Sequence, residues 1–180
     1  MFYNMVDTIV VGKYVSVLAL ASVGTTTPVV DLLLGLVIGF ANGLLVIVAQ
    51  KIGSKDQKTI KKSMTNGFYI IILLSLIILI LGLFFNRKLL TLINVSSDLM
   101  EKAHLYSGIL LIGAVYTACY NYESAILRAN GNGIIPLFIL ILSAILNIVL
   151  DLFFVLVLHM VIAGAALSTI LAQFICYLLC

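Results

Sequence analysis

The sequence predicts an all-α fold, a polytopic bundle of transmembrane helices. Hydrophobic residues make up 63% of the 180-residue chain, whereas charged residues make up only 9%. A soluble domain carries about 25% charged residues, so this chain has too few of them to cover its surface in water. The charge-poor windows along the chain are each about as long as the roughly 20 residues that cross the hydrocarbon of a bilayer.

The positions of these windows place the helices. Spanning helices are expected at about 21–50, 63–86, 103–127, 134–158 and 160–180. A further apolar segment at about 1–12 is too short to span a bilayer, so we interpret it as the second half of a helix. The chain, 1–180, is thus expected to form a single transmembrane domain of six helices, with the first helix partial.

Charges in the links between helices predict the orientation. The link 51–62 is rich in lysine and contains a single acidic residue, so the positive-inside rule predicts that the loop from Lys51 to Lys62 is cytoplasmic. The next link, 86–102, should then lie on the outer side. Its apolar residues predict an amphipathic piece in the membrane interface: Leu89, Leu90, Leu92, Ile93 and Leu99.

Asp151 lies in the apolar run LSAILNIVLDLFFVLVLH. An aspartate at the centre of a membrane helix costs about 2.5–3.5 kcal/mol, and each interhelical hydrogen bond recovers only about 0.6 kcal/mol. Asn147 and Ser143 precede Asp151 at intervals of four residues, which places the three side chains on one helix face. This favours an ion or proton site, with a structural aspartate satisfied by its neighbours as the alternative.

Asp7 repeats this pattern in the first apolar segment. Tyr3 and Asn4 lie one turn before it, so one face carries a tyrosine, an asparagine and an aspartate. Two carboxylates on different helices can share a proton or a cation. We therefore predict a cation or proton site formed by Asp7 and Asp151, with Asn147 as a hydrogen-bond partner.

Other polar side chains allow two interpretations. Thr169 and Gln173 form a polar pair at i and i+4 on the last helix. Such a pair is typical either of hydrogen bonds between helices or of the wall of a cavity. Tyr106, on the fourth span, is open to the same two interpretations.

Three glycines in the stretch GLVIGFANG recur at four-residue intervals: Gly35, Gly39 and Gly43. Small residues at this spacing let membrane helices approach closely, so they predict a face for helix packing. A flexible point in a moving helix is the alternative.

The sequence lacks the motifs of several enzyme and metal sites. It contains no Cys-x-x-Cys and no Cys/His cluster, so neither a disulfide framework nor a metal site is expected. Intramembrane aspartyl proteases carry Tyr-Asp and Gly-x-Gly-Asp motifs, which are missing, as are nucleotide-binding and hydrolase motifs. We therefore expect no enzyme, no catalytic residue, no metal, no organic cofactor and no nucleic-acid partner. With no nucleotide-binding motif, an ion or solute carried through such a bundle would be driven by ion gradients, worth about 2.3 kcal/mol per charge per 100 mV.

Four stretches together resemble the multidrug and toxic compound extrusion family, MATE. FYNMVDTIVVGKYVSVLALASVG (2–24) resembles the first-helix signature of that family, and ILRANGNGIIP (126–136) resembles its link between helices four and five. LNIVLDLFFV (146–155) and IAGAALSTILAQ (162–173) resemble its fifth and sixth helices. The stretches occur in the order of the family and cover nearly the whole chain.

The resemblance implies one six-helix lobe of a two-lobed transporter with a central cavity. It also implies export of drugs or other organic compounds across the plasma membrane of a prokaryote, coupled to H⁺ or Na⁺. The residues that match the cation or proton site of the family are Asp7, Asn147 and Asp151. Together with Asn4 from the same face, the residues predicted at the substrate cavity are Tyr3, Thr169 and Tyr106.

The resemblance covers only the N-terminal lobe, with a first helix that begins midway. The expected partners are therefore membrane lipid, a small organic substrate, and a missing second lobe or a second copy of the chain. A flippase for lipid-linked precursors from the same superfamily is one alternative, disfavoured because such a protein would be expected to have a basic cavity. A non-transporting membrane fragment is the other alternative.

Overall fold

The computed structural model describes residues 8–9, 12–13, 17–53 and 57–180. These residues form five long helices: α1 (Val17–Gly53), α2 (Gln57–Leu92), α3 (Ser97–Ala129), α4 (Ile134–Leu152) and α5 (Val161–Leu179). A π-helical turn, Phe153–Val157, continues α4. All five helices are long and apolar enough to cross a membrane. The predicted all-α, multi-pass membrane fold is confirmed.

Helices α1 to α3 extend beyond the predicted spans. α2 was expected at 63–86 and has 36 residues, which corresponds to about 54 Å of helix. The hydrocarbon of a bilayer is only about 30 Å thick. A window without charged residues shows only which residues can lie in the hydrocarbon. The helix itself continues beyond that window, because its backbone hydrogen bonds also form in the polar region, where lysine and arginine side chains are solvated. The partial helix predicted at about 1–12 lies mostly outside the described residues.

The link between α2 and α3 differs from the prediction of an interfacial amphipathic piece. Residues 87–92 continue α2, and a short turn leads directly into α3 at Ser97. Leu90 is fully buried in a cluster with Val29, Val95 and Ala103. The apolar pattern of this link therefore reflects burial against α1 and α3, which sequence periodicity cannot distinguish from contact with a membrane surface.

Helix α3 occupies the centre of the bundle. It contacts α1, α2 and α5 extensively, whereas α4 packs mainly against α5. Over half of its most apolar window (56%) is buried inside the bundle. Small buried residues such as Ala114 and Ala118 let the neighbouring helices approach closely. The more polar composition of α3 is tolerated because a larger share of this helix is buried in the bundle than of the other four described helices.

Asn86 connects α2 to α3 inside the membrane domain. Its side chain is fully buried. Asn86 Nδ2 donates to the His104 carbonyl at 3.1 Å, and Asn86 Oδ1 accepts from Ser107 Oγ at 2.9 Å. These two bonds hold the C-terminal end of α2 to the N-terminal end of α3.

We expect the substitution Asn86→Ala to lower the free energy of unfolding by about 1 kcal/mol, because hydrogen bonds between membrane helices contribute about 0.6 kcal/mol each. Denaturation of the purified chain in detergent measures this difference. Asn66→Ala is the control, since Asn66 is exposed on the same helix. Equal destabilisation by the two substitutions would contradict the assignment.

Candidate functional site

The buried residues of α4 form a single stripe along the helix. They are Pro136, Ile139, Ser143, Asn147 and Asp151. Their spacing of three or four residues places them on one face, which is turned toward the principal neighbour of α4, helix α5. The polar residues of this stripe, Ser143, Asn147 and Asp151, therefore lie at the contact between α4 and α5, on the single helix face that their four-residue spacing predicts.

Three hydrogen-bonded layers join this stripe to α5. Ser143 Oγ donates to the Ala172 carbonyl at 2.8 Å. In the next layer, Asn147 Nδ2 donates to Thr169 Oγ1 at 3.2 Å. The third layer joins Ser168 Oγ to Asp151 Oδ1. A carboxyl group, an amide and three hydroxyl groups thus lie together in the interior of a membrane domain.

The Ser168 hydroxyl group has two acceptors within reach. It contacts Asp151 Oδ1 and also the Ala165 carbonyl oxygen, at 2.7 Å. A hydroxyl group has one hydrogen but can also accept. A charged Asp151 therefore accepts the bond from Ser168, whereas a protonated Asp151 can donate to Ser168 Oγ while Ser168 donates to Ala165. Both charge states of the carboxyl group can be accommodated in this layer.

Asn147 Oδ1 is a buried acceptor without a hydrogen-bond partner among the described residues. Leaving such an atom unsatisfied costs about 1–3 kcal/mol, so a donor or cation near it would be favourable. Carboxylate, amide and hydroxyl oxygens are ligands that hard cations prefer. Within the described ranges, no group of three His, Cys, Asp or Glu residues could hold a metal ion.

The first-segment half of the predicted site lies outside the described residues. Tyr3, Asn4 and Asp7 all belong to this part of the chain. Their proximity to Asp151 therefore stays a prediction.

Two residues predicted at the substrate cavity are buried in the bundle. Thr169 belongs to the polar layer with Asn147 and is nearly inaccessible. Tyr106 lies in a core cluster with Ile162, Ala165 and Ala166, next to the turn of α5 that carries Ser168. Their contact with substrate stays a prediction.

A separate cavity of about 400 Å³ opens between α1, α3, α4 and α5. Its polar lining residues are Asp31, Thr117, Tyr120, Asn121, Ser124, Arg128 and Gln173. Gln173 thus lines this cavity, whereas Thr169 bonds to Asn147, so the predicted polar pair is divided between two environments. The Asn147–Asp151 layers are not part of the cavity wall.

The glycine face of α1 makes no close contact in the described structure. Gly35, Gly39 and Gly43 are exposed, and a Cβ atom built on any of them would have no neighbour within 4 Å. Close packing on this face is therefore not seen between the described helices, because α2 and α3 pack on other sides of α1. A packing role for the three glycines would need a partner other than the described helices.

Sequence reasoning missed Ser168, a residue of α5 that contacts Asp151 directly. The stretch IAGAALSTILAQ drew attention to Thr169 and Gln173, which form a polar pair at helical spacing. A different signal was available, since Gly164, Ser168 and Ala172 are small residues at four-residue intervals. Such a face permits the close approach of helices that brings Ser168 to Asp151.

Comparison with known families and proteins gives consistent matches. The MatE family model matches residues 1–153. "Probable multidrug resistance protein YpnP" of Bacillus subtilis (strain 168) is 32% identical over 177 residues, which are 98% of this chain and 40% of that protein. "Probable multidrug resistance protein NorM" of Thermotoga maritima is 26% identical, over 97% of this chain and 38% of its own. The chain therefore spans well under half the length of these relatives.

Solved structures of transporters share the fold. A structure described as the inward-facing conformation of a multidrug resistance MATE family transporter aligns with a TM-score of 0.92 and 28% identity, over 99% of this chain and 40% of that one. A structure described as MATE in the bent conformation aligns with a TM-score of 0.93 and 28% identity, over 98% and 39% of the two chains.

Proposed function

Because this chain belongs to the MatE family, we propose that it forms one lobe of a cation-coupled antiporter. The transporter exports drugs or other organic compounds across the plasma membrane of a prokaryote. The coupling ion is H⁺ or Na⁺, and a second lobe or a second copy of the chain completes the transport pathway. The names of the relatives, which are multidrug resistance proteins, support this class of activity.

The observation that carries the proposal is the fully buried Asp151 beside an unsatisfied amide oxygen of Asn147. Placing the aspartate in the membrane costs about 2.5–3.5 kcal/mol, whereas hydrogen bonds between membrane helices recover about 0.6 kcal/mol each. Packing of α4 on α5 is therefore a weak reason for this residue. Reversible binding of a proton or a cation supplies a stronger one.

In the proposed mechanism, Asp151 carries the charge that a cation or proton neutralises. The oxygen atoms that would surround the bound ion are Asn147 Oδ1 and the hydroxyl groups of Ser168 and Thr169. Binding of the ion changes the hydrogen bonds between α4 and α5. If two conformations of the lobe differ in these bonds, the equilibrium between them shifts toward the conformation that binds the ion better. The membrane potential contributes about 2.3 kcal/mol per charge per 100 mV to such a step.

A flippase for lipid-linked precursors is disfavoured by the sign of the buried charge. Among the described residues, the one fully buried charged side chain is Asp151, which is acidic. Anionic lipid-linked precursors call for basic groups in the cavity. Arg128 lies at the wall of the separate cavity and is exposed.

Vesicles containing a full-length relative test the proposal. Ethidium is added, and internal pH and internal Na⁺ are recorded with and without a proton gradient, and with and without a sodium gradient. We expect ethidium movement to change either internal pH or internal Na⁺, because an antiporter exchanges its substrate for the coupling ion. Ethidium movement that is indifferent to both gradients would contradict coupling, and the lobe would then have to work by another energy source.

A further inference from the structure

Gly164, in the first turn of α5, makes a close contact with the chain that follows Asp151. A Cβ atom built on Gly164 would lie 3.0 Å from Phe154 Cβ, 3.1 Å from Met160 Cβ and 3.4 Å from the Phe154 carbonyl carbon. Distances near 3 Å are shorter than ordinary van der Waals contact, so a side chain at this position would push Phe154 away by a few tenths of an ångström. Glycine at this position therefore leaves Phe154 and Met160 where they are, whereas a larger residue would need both to give way.

The partner in this contact is a π-helical turn. Leu158 N donates to the Phe153 carbonyl at 3.2 Å, which is the i to i−5 bond of a π-helix, and Met160 N donates to the Phe154 carbonyl at 2.9 Å. The reversal is completed by His159 in a left-handed conformation, with φ of 53°. A π-helical hydrogen bond spans one residue more than an α-helical one, so the turn changes the direction of the residues that follow Asp151 relative to the face of α4.

The contact lies one turn from the polar layer. Phe154 follows Asp151 by three residues, and Ser168 follows Gly164 by four. In each helix these two residues lie on the same face, one above the other. A displacement at Gly164 and Phe154 is therefore transmitted along both helices to Ser168 and Asp151.

We propose that Gly164 is a positioning residue for Asp151. Its missing side chain lets the π-helical turn approach α5, and this approach holds the Asp151 carboxyl group within hydrogen-bond distance of Ser168. The consequence for transport rests on the proposed function, but the positioning itself does not. Gly164 touches neither the cation nor the carboxyl group and acts through the separation of the two helices.

Solid-state NMR of the 180-residue chain in lipid vesicles, labelled with ¹³C at the aspartate carboxyl carbon, tests this proposal. Asp151→Asn identifies the Asp151 resonance. We expect Gly164→Ala to move that resonance in the direction of the shift produced by Ser168→Ala, because both variants remove the hydrogen bond. Gly24→Ala is the matched control and should leave the resonance in place, since its Cβ atom would meet nothing within 4 Å.

A second variant loosens the same contact without adding atoms. Phe154→Gly removes the Cβ atom that faces Gly164 and should displace or broaden the Asp151 resonance. Native resonances in both Gly164→Ala and Phe154→Gly, with a displaced resonance in Ser168→Ala, would overturn the positioning role. Addition of Na⁺ or acid to the native chain is a separate measurement: an unresponsive Asp151 resonance would remove the proposed function and leave the positioning role standing.

Discussion

Replacing the aspartate aligned with Asp151 by asparagine in a full-length relative is expected to abolish coupled efflux. Drug resistance of cells that express the variant should fall to that of cells without the transporter. An amide cannot take up a proton and carries no charge for a cation, so the binding step is lost. The fold should persist, because asparagine has nearly the same volume and its oxygen can still accept a bond from Ser168.

The control for this substitution is the same chemical change at an exposed aspartate. Asp98 lies in the first turn of α3 and is exposed. Asparagine at the aligned position is expected to leave resistance within error of the native level, provided the amount of protein in the membrane is equal. Resistance that survives in the Asp151 variant at equal expression would refute the assignment of this residue as the coupling site.

The substitution Asn147→Leu is expected to weaken binding of the coupling ion by about tenfold to a hundredfold. A hydrogen bond to a charged group contributes about 1.5–3 kcal/mol, and each 1.4 kcal/mol corresponds to about a factor of ten in affinity. Leucine removes the unsatisfied Oδ1 atom and the bond to Thr169 while keeping a similar volume. Titration of the Asp151 carboxyl resonance with Na⁺, and separately with acid, measures the change.

Asn121→Leu provides the comparison for Asn147→Leu. Asn121 bonds to the Thr117 carbonyl of its own helix at 2.7 Å and lines the separate cavity. The substitution Asn121→Leu should therefore leave the titration of the Asp151 carboxyl resonance unchanged. Equal affinities in the native chain and in Asn147→Leu would show that the buried amide is a structural link to Thr169 and not a ligand.

The fold was predictable because its determinants are local. Uncharged windows indicate which residues can lie in hydrocarbon, and a chain in hydrocarbon must satisfy its backbone within each helix. The same windows underestimated α2, since Lys58 and Arg87 continue the helix in the polar region. They also could not show that Leu90 is buried under a turn, because burial and contact with a membrane surface produce the same apolar pattern.

The sequence was enough to predict which residues of the site share a face of α4. It was not enough to predict which residues of the neighbouring helix face them. Ser143, Asn147 and Asp151 share a face because four-residue spacing in a helix fixes their relative directions. Which residues face them depends on the rotation of α5 about its own axis. The pairing of Asp151 with Ser168, and the separation of Gln173 from Thr169, follow from that rotation.

The sequence by itself determined the membrane class, the helical architecture and the polar face of α4, because hydropathy and helical periodicity act within a single segment. Only the tertiary structure decided that Ser168 of α5 bonds to Asp151 and that the glycine face of α1 lies open among the described helices. It also decided that Asn147 keeps a free acceptor atom among the described residues. These features depend on how closely two helices approach, and here the approach of α4 to α5 is set by a π-helical turn against Gly164.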